Sequence, residues 1–260
     1  MRGAMIKSAY RSDIGRVRTV NEDRAVVVND LGGLSLAIVA DGMGGHQAGD
    51  IASQMAVELL QQQLQPVTRE VPPEARKALL ESAVVTTNEQ IFEFASGREH
   101  FHGMGTTVVA VLADDKSAVI AHIGDSRAYL VRAGRIEQLT EDHSLVNELL
   151  RNGQITREEA DHHPRRNVLT RALGTESGIE VDVREIAWQS GDTLLLCSDG
   201  LSSLVDSERM AALIAGEGDL EEKAELLVNE ALHARGDDNI TVVLLCNSED
   251  GAGHNDGEAG

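Results

Sequence analysis

The chain lacks any apolar run near the roughly 18 residues that a membrane span needs, and its start, MRGAMIKSAYRSDIG, has no hydrophobic signal core. We therefore expect a cytoplasmic protein without membrane insertion. Positive charge is scarce: 23 Lys and Arg stand against 43 Asp and Glu, a formal net charge of -20. Nothing forms a basic stripe able to neutralise nucleic-acid phosphates, so nucleic acid is excluded as a partner. There are only two cysteines, Cys197 and Cys246, both in apolar strand-like runs. They read as small core residues, not as a disulfide framework or a nucleophile. No GxGxxG follows the first strand and no GxxxxGK[ST] occurs, which disfavours nucleotide-binding folds. Repeats of solenoid length are absent. No D-x-[DN]-x-[DN]-G loop supports a calcium-binding protein.

What is present suits one globular domain: 260 residues, of which 42% are hydrophobic. The runs DRAVVVND and LSLAIVA, separated by Gly32-Gly33, predict a β-hairpin. Helical patterns are expected at about 48–64 and 73–94, separated by Pro66 and Pro72-Pro73. From Thr106 to Thr140, short apolar runs alternate with DDK, GDS and AGR turns, which predicts an antiparallel meander. Residues 142–178 are polar and rich in His and Arg, with a short helix at 145–151, and read as a flap. The strands VDVREIAW and DTLLLCSDG, helices at about 207–215 and 220–234, and a last strand NITVVLLCN follow. The acidic, glycine-rich tail 248–260 is expected to be disordered. Helices paired between runs of antiparallel strands argue for an α+β fold.

One feature recurs. LAIVADG ends a buried strand on Asp41, LLLCSDG ends another on Asp199, AHIGDSR places Asp125 after a third, and RGDDNITVV sets Asp237 and Asp238 before the last. NEDR, Asn21 to Arg24, precedes the first strong strand. Each alone is an ordinary turn or capping residue. Together, carboxylates gathered at strand rims repel one another unless a cation lies between them, and an oxygen-only donor set suits Mg²⁺ or Mn²⁺ better than zinc.

The stretches RTVNEDR, VADGMGGHQAG, GMGTTVV, HIGDSRAYL, LTEDHS, LTRALG, LLLCSDGLSSLV and GDDNITVVLL occur in that order from about Ser8 to Cys246. In them the chain resembles the metal-dependent protein Ser/Thr phosphatases, the PPM or type 2C family, in their compact bacterial form. The resemblance implies two packed antiparallel β-sheets flanked by pairs of α-helices, a four-layer αββα sandwich, over residues 5–247. It also implies hydrolysis of phosphoserine and phosphothreonine by attack of a metal-bridging water. The cofactors would be two Mn²⁺ or Mg²⁺ ions per site and a weak third. As ligands it implies Glu22, Asp41, the carbonyl of Gly42, Asp199 and Asp238, with Asp125 on the third ion. Asp23 would hold a metal-bound water, Arg18 would grip the phosphoryl group, Asn239 would steady the site and His46 would be the general acid. Two positions depart from the family pattern. Met43 stands where animal relatives have a histidine directly after DG, and Ser203 stands where many relatives have a third-metal aspartate. The alternative role for Asp125 is a turn aspartate pairing with Arg127. His143, His162, His163 and Arg171 lie in or beside the flap, where they could meet a phosphopeptide, Arg171 rather with a structural role. Expected partners are phosphorylated proteins, including a Ser/Thr kinase that the enzyme opposes in signalling, and the chain is expected to be a monomer. A binding module that has lost catalysis is the competing reading, but none of its marks, the loss of a ligand carboxylate, is present.

Overall fold

Gly32 and Gly33 both adopt positive φ, 58° and 82°, the geometry of a two-residue turn between twisted strands. They join β2 (Asp23–Leu31) to β3 (Leu34–Met43), as the sequence predicts. The structure is a computed structural model, and it describes residues 5–44 and 48–248. The expected tail lies outside the described residues, apart from Ser248.

Two antiparallel sheets form. One runs β1 (Met5–Asp13), β11 (Ile240–Ser248), β10 (Thr193–Cys197), β7 (Arg127–Arg132), β8 (Arg135–Gln138). The other runs β2, β3, β5 (Val108–Ala113), β6 (Ser117–Ile123), β9 (Asp182–Ala187), with the two-residue β4 (Gly105–Thr106) pairing the end of β3. The expected meander is thus divided. β5 and β6 form a hairpin in one sheet, β7 and β8 a hairpin in the other, and Gly124-Asp125-Ser126 carries the chain across. Alternation of polar and apolar residues is the same on both sides of such a crossing, so periodicity does not reveal it. β1 was not anticipated either: it is mostly exposed or half-buried, with Ala9 its one buried residue.

Three apolar clusters fill the spaces between four layers. Alternate residues of the inner strands, among them Ala37, Val39, Val111, Ile120, Leu194, Leu196 and Val243, meet between the sheets. On one outer face, α1 (Ala48–Leu64) and α2 (Pro73–Ala95) cover β3, β5 and β6. On the other, α6 (Ser207–Ala215) and α7 (Leu220–Ala234) cover β1, β10 and β11. This is the α+β sandwich implied by the resemblance. In α1 the buried stripe is Ala48, Ala52, Ala56, Leu60 and Leu64, at a spacing of four, while Ile51, Met55 and Leu59 are only partly covered. Small residues against the sheet let α1 lie close to β3, and this closeness matters at its N-terminus. The flap holds α3 (Leu145–Arg151), capped by Ser144, and a second helix that was not foreseen, α4 (Arg157–Asp161). Its signal was legible: Thr156 and Glu159 form a capping box.

Candidate active site

The rim where β2, β3, β10 and β11 end or begin brings the strand-end carboxylates together. Asp23 opens β2 directly opposite Asp41 on β3. Asp199 follows β10, opening the single-turn helix α5 (Asp199–Ser202), and Asp238 precedes β11. Asp125 sits on the crossing between β6 and β7. Hydrogen bonds fix Asp41 and Asp23 in place. Asp41 N–H donates to Thr107 Oγ1 (3.0 Å), and its carbonyl accepts from Thr107 N (2.8 Å) and Thr106 Oγ1 (2.9 Å). Ser198 Oγ donates to Asp23 Oδ2 (2.7 Å) and itself accepts from Thr241 N (3.0 Å). Asn239 steadies the site: its Oδ1 accepts from Glu22 N (2.8 Å), while its Nδ2 donates to the carbonyls of Ile14 (2.9 Å) and Val20 (3.1 Å). The whole 14–22 loop is thereby tied to the Asp238 loop.

Within DGMGGHQAGD, Gly42 and Gly49 serve close approach. A Cβ on Gly42 would lie 2.0 Å from the carbonyl oxygen of Gly49, and one on Gly49 would lie 2.5 Å from Glu22 Oε1. Gly200, after Asp199, would likewise press on the carbonyl of Asn239 at 2.0 Å. The end of β3, the start of α1 and the Glu22 carboxylate are therefore in direct contact because two residues have no side chain.

Electrostatically the site is overloaded with negative charge. Burial pushes the Asp41 carboxyl well above its ordinary range, and the charges of Asp23, Asp199, Asp125 and Asp238 push it further. Asp23 and Asp125 are pushed up to about 7, both chiefly by burial and then by Asp199. Asp199 is pushed up to about 6 by burial and Asp238, offset by a hydrogen bond from Asp41. Glu22 is raised by burial, against the attraction of Arg18. Two carboxylate oxygens, Glu22 Oε1 and Asp23 Oδ1, are buried with no hydrogen-bond partner. Such oxygens are costly unless something positive faces them. The donor set thus fits hard divalent cations on oxygen ligands.

Arg18 is half-exposed and donates from Nη2 to Asp238 Oδ2 at 2.8 Å. Its guanidinium thus stands at the mouth of the carboxylate group. Arg127 does not pair with Asp125: it makes three hydrogen bonds to Asp142, at 2.6 to 3.1 Å. Ser203 closes α5, donating from N to the Asp199 carbonyl. His46 lies outside the described residues. Cys197 is buried and its thiol is pushed up to about 12 by burial, so it is no nucleophile. No helix among the described residues is long and apolar enough to cross a membrane.

The flap residues divide. His162 is exposed and His163 half-exposed, while Arg171 pairs with Asp182 and Glu180. His143 is buried and faces inward, contrary to its expected place against a peptide. His122, His143 and Asp182 place one ligand atom each within 4.8 Å of one another, the geometry of a possible metal site. The hydrogen bonds argue otherwise. His143 Nδ1 accepts from Gly124 N (3.1 Å), so its ring proton sits on Nε2 and points at Asp182 Oδ2 (3.3 Å). His122 Nε2 is engaged with the carbonyl of Glu141 (2.8 Å), and the two rings stack at 4.7 Å. Nearly parallel rings do not aim their in-plane lone pairs at one point. Burial lowers the pKa of both imidazoles, and the group forms a hydrogen-bonded network.

Comparison with known proteins places the chain among known families. Residues 15–234 match the family model described as "Protein phosphatase 2C". The chain is 45% identical over 236 residues to a protein named serine/threonine phosphatase stp of Listeria welshimeri, covering 91% of this chain and 94% of that one. A solved S. agalactiae serine/threonine phosphatase superposes with a TM-score of 0.88 at 37% identity, covering 94% of this chain and 100% of that one. The catalytic domain of the serine threonine protein phosphatase PstP, solved in complex with two manganese ions, superposes with a TM-score of 0.83 at 35% identity, covering 95% and 100%. The chain belongs to the protein phosphatase 2C family, and it is an enzyme, a hydrolase of the protein serine/threonine phosphatase kind.

Proposed function

We propose that the chain is a metal-dependent phosphoprotein phosphatase acting on phosphoserine and phosphothreonine, through a domain of residues 5–247, and that it opposes a Ser/Thr protein kinase. The observation that carries the reading is the convergence of Asp23, Asp41, Asp125, Asp199 and Asp238 beside Glu22, with two orphaned carboxylate oxygens and an arginine at the mouth. Glu22 and the carbonyl of Gly42 on one side, Asp199 and Asp238 on the other, and Asp41 shared between them would hold two Mn²⁺ or Mg²⁺ ions, with Asp125 contributing to a weaker third. Bound there, such ions supply Lewis-acid activation of water and of the phosphoryl oxygens.

The chain's own residues do the rest. Arg18 offers a planar fork of donors to two phosphoryl oxygens, a match that a lysine does not provide. Its hydrogen bond to Asp238 holds the guanidinium at the pocket before substrate arrives. Asp23 keeps Oδ2 on Ser198 and leaves a buried Oδ1 without a partner, which can orient a water by accepting a hydrogen bond from it. His46 is the proposed acid for the departing alkoxide. The test is steady-state hydrolysis of phosphothreonine, phosphoserine and phosphotyrosine peptides with Mn²⁺, Mg²⁺ or chelator. The reading expects turnover of the first two that needs added cation. Full turnover after exhaustive chelation, or a preference for phosphotyrosine, would contradict it.

A further inference from the structure

His143 is a buried residue to which the reaction as described assigns no task. It stands at the root of the flap and makes a reciprocal pair of bonds with one residue: its N–H donates to the Gly124 carbonyl (2.9 Å), and its Nδ1 accepts from Gly124 N (3.1 Å). Its carbonyl accepts from Thr170 N (2.9 Å), at the far end of the same flap. Gly124 adopts φ +101°, and a Cβ there would lie 2.6 Å from Thr107 Cγ2. Thr107 in turn shares a hydrogen bond with Ser126 Oγ (2.7 Å) and accepts from Asp41 N. The turn Gly124-Asp125-Ser126 is therefore clasped from two sides, by Thr107, which also holds Asp41, and by His143, which also holds both ends of the flap.

We propose that His143 is a positioning residue: through its bond to Gly124 it fixes the Asp125 carboxylate among the cation-holding acids and couples the flap to them. The inference rests on the reading of Asp125 as a cation ligand. It assigns the working contact to Nδ1 and Gly124, not to Nε2 and Asp182.

The variants separate these contacts. In His143→Asn, Oδ1 can stand where Nδ1 stands and accept from Gly124; in His143→Gln it cannot. Asp182→Asn changes the other partner at a half-exposed position, where it also pairs with Arg171. The readout is calorimetric titration of chelator-stripped protein with Mn²⁺, alongside the Mn²⁺ concentration for half-maximal hydrolysis of a phosphothreonine peptide. His143→Gln should weaken the most weakly held Mn²⁺ about tenfold or more, as loss of a residue orienting a ligand typically does. His143→Asn and Asp182→Asn should stay within about threefold of the parent. Asp125→Asn should weaken the same ion, and the double variant His143→Gln/Asp125→Asn should be no worse than Asp125→Asn alone, because the first acts through the second. Additive losses, an Asp182→Asn defect as large as that of Gln, or a His143→Gln that binds as the parent does would overturn the inference. Unaltered Mn²⁺ binding in Asp125→Asn would instead remove Asp125 from the ligand set. Should His143→Gln fail to fold, as judged by its melt in chelator, His143→Asn decides: it keeps the Gly124 contact and loses the Asp182 one, so near-parental Mn²⁺ binding assigns the work to Gly124 and a loss of about tenfold overturns the inference.

Discussion

Burial and mutual repulsion make ionisation costly for carboxylic acids at the ends of buried strands unless a cation offsets it, and Asp199 makes this measurable. Unfolded, it titrates near 3.8; folded and metal-free, near 6. Below the lower value both states are protonated and nothing is lost. As pH rises through the upper value the native state must hold a charge it disfavours, so stability present in acid disappears. Asn cannot ionise and escapes this loss. In EDTA, the melting temperature of Asp199→Asn relative to the parent should be near zero at pH 4 and rise to a clear excess by pH 7.5, while its Mn²⁺ binding collapses. A difference that does not change with pH would contradict the charge account. At Arg18, replacement by Ala should lower kcat/KM on a phosphothreonine peptide about 10- to 100-fold, the scale of a lost charged hydrogen-bond pair, chiefly through KM. Lysine should recover only part of this. Unchanged kcat/KM in Arg18→Ala would take Arg18 out of the site.

At the scale of elements, the site depends on how closely α1 meets β3. Ala is ordinarily favoured over Gly in a helix by up to about 1 kcal/mol. In Gly49→Ala that gain should vanish, because the new methyl group meets Glu22 Oε1; Mn²⁺ should bind at least tenfold more weakly by calorimetry, with no rise in melting temperature. A stabilised variant with parental Mn²⁺ affinity would refute the packing argument. A second device lies far from the chemistry. Arg76 of α2 is buried and donates to Asp114 Oδ2 (2.7 Å) and to the carbonyls of Val71 and Arg69, and its pairing helps hold the Asp114 carboxyl below the ordinary range. Arg76→Met should cost about 3 to 5 kcal/mol in urea unfolding, as an uncompensated buried charge does, with turnover per folded molecule preserved.

These two scales also show what the sequence could tell. Helices α1, α3, α6 and α7 were legible from period and caps, and the strand-end aspartates from their position after apolar runs. Arg76 was not, since an arginine in a helical pattern reads as solvent-facing until its partner is known. Ser198, Thr107 and Ser126 were equally silent: each holds a site carboxylate or its turn by a hydroxyl, and hydroxyls have no periodic signature. The inward turn of His143 is likewise set by tertiary contacts, with Gly124 and Asp182, that sequence spacing does not encode.

For the whole molecule, two sheets with acid-bearing ends at one rim gather carboxylates together on a chain whose net charge is already -20. That rim has few cationic side chains of its own: among the described residues, Arg18 is the one that pairs with a site carboxylate. The central claim is that divalent cations complete it and that hydrolysis requires them. The most direct measurement titrates chelator-stripped protein with Mn²⁺ while heat of binding and hydrolysis of a phosphothreonine peptide are followed on the same sample, for the parent and for Asp41→Asn. The account predicts that activity appears as two equivalents of Mn²⁺ bind, and that Asp41→Asn loses both the binding and the activity. Parental turnover in Asp41→Asn, or turnover in the parent before any Mn²⁺ binds, would contradict it.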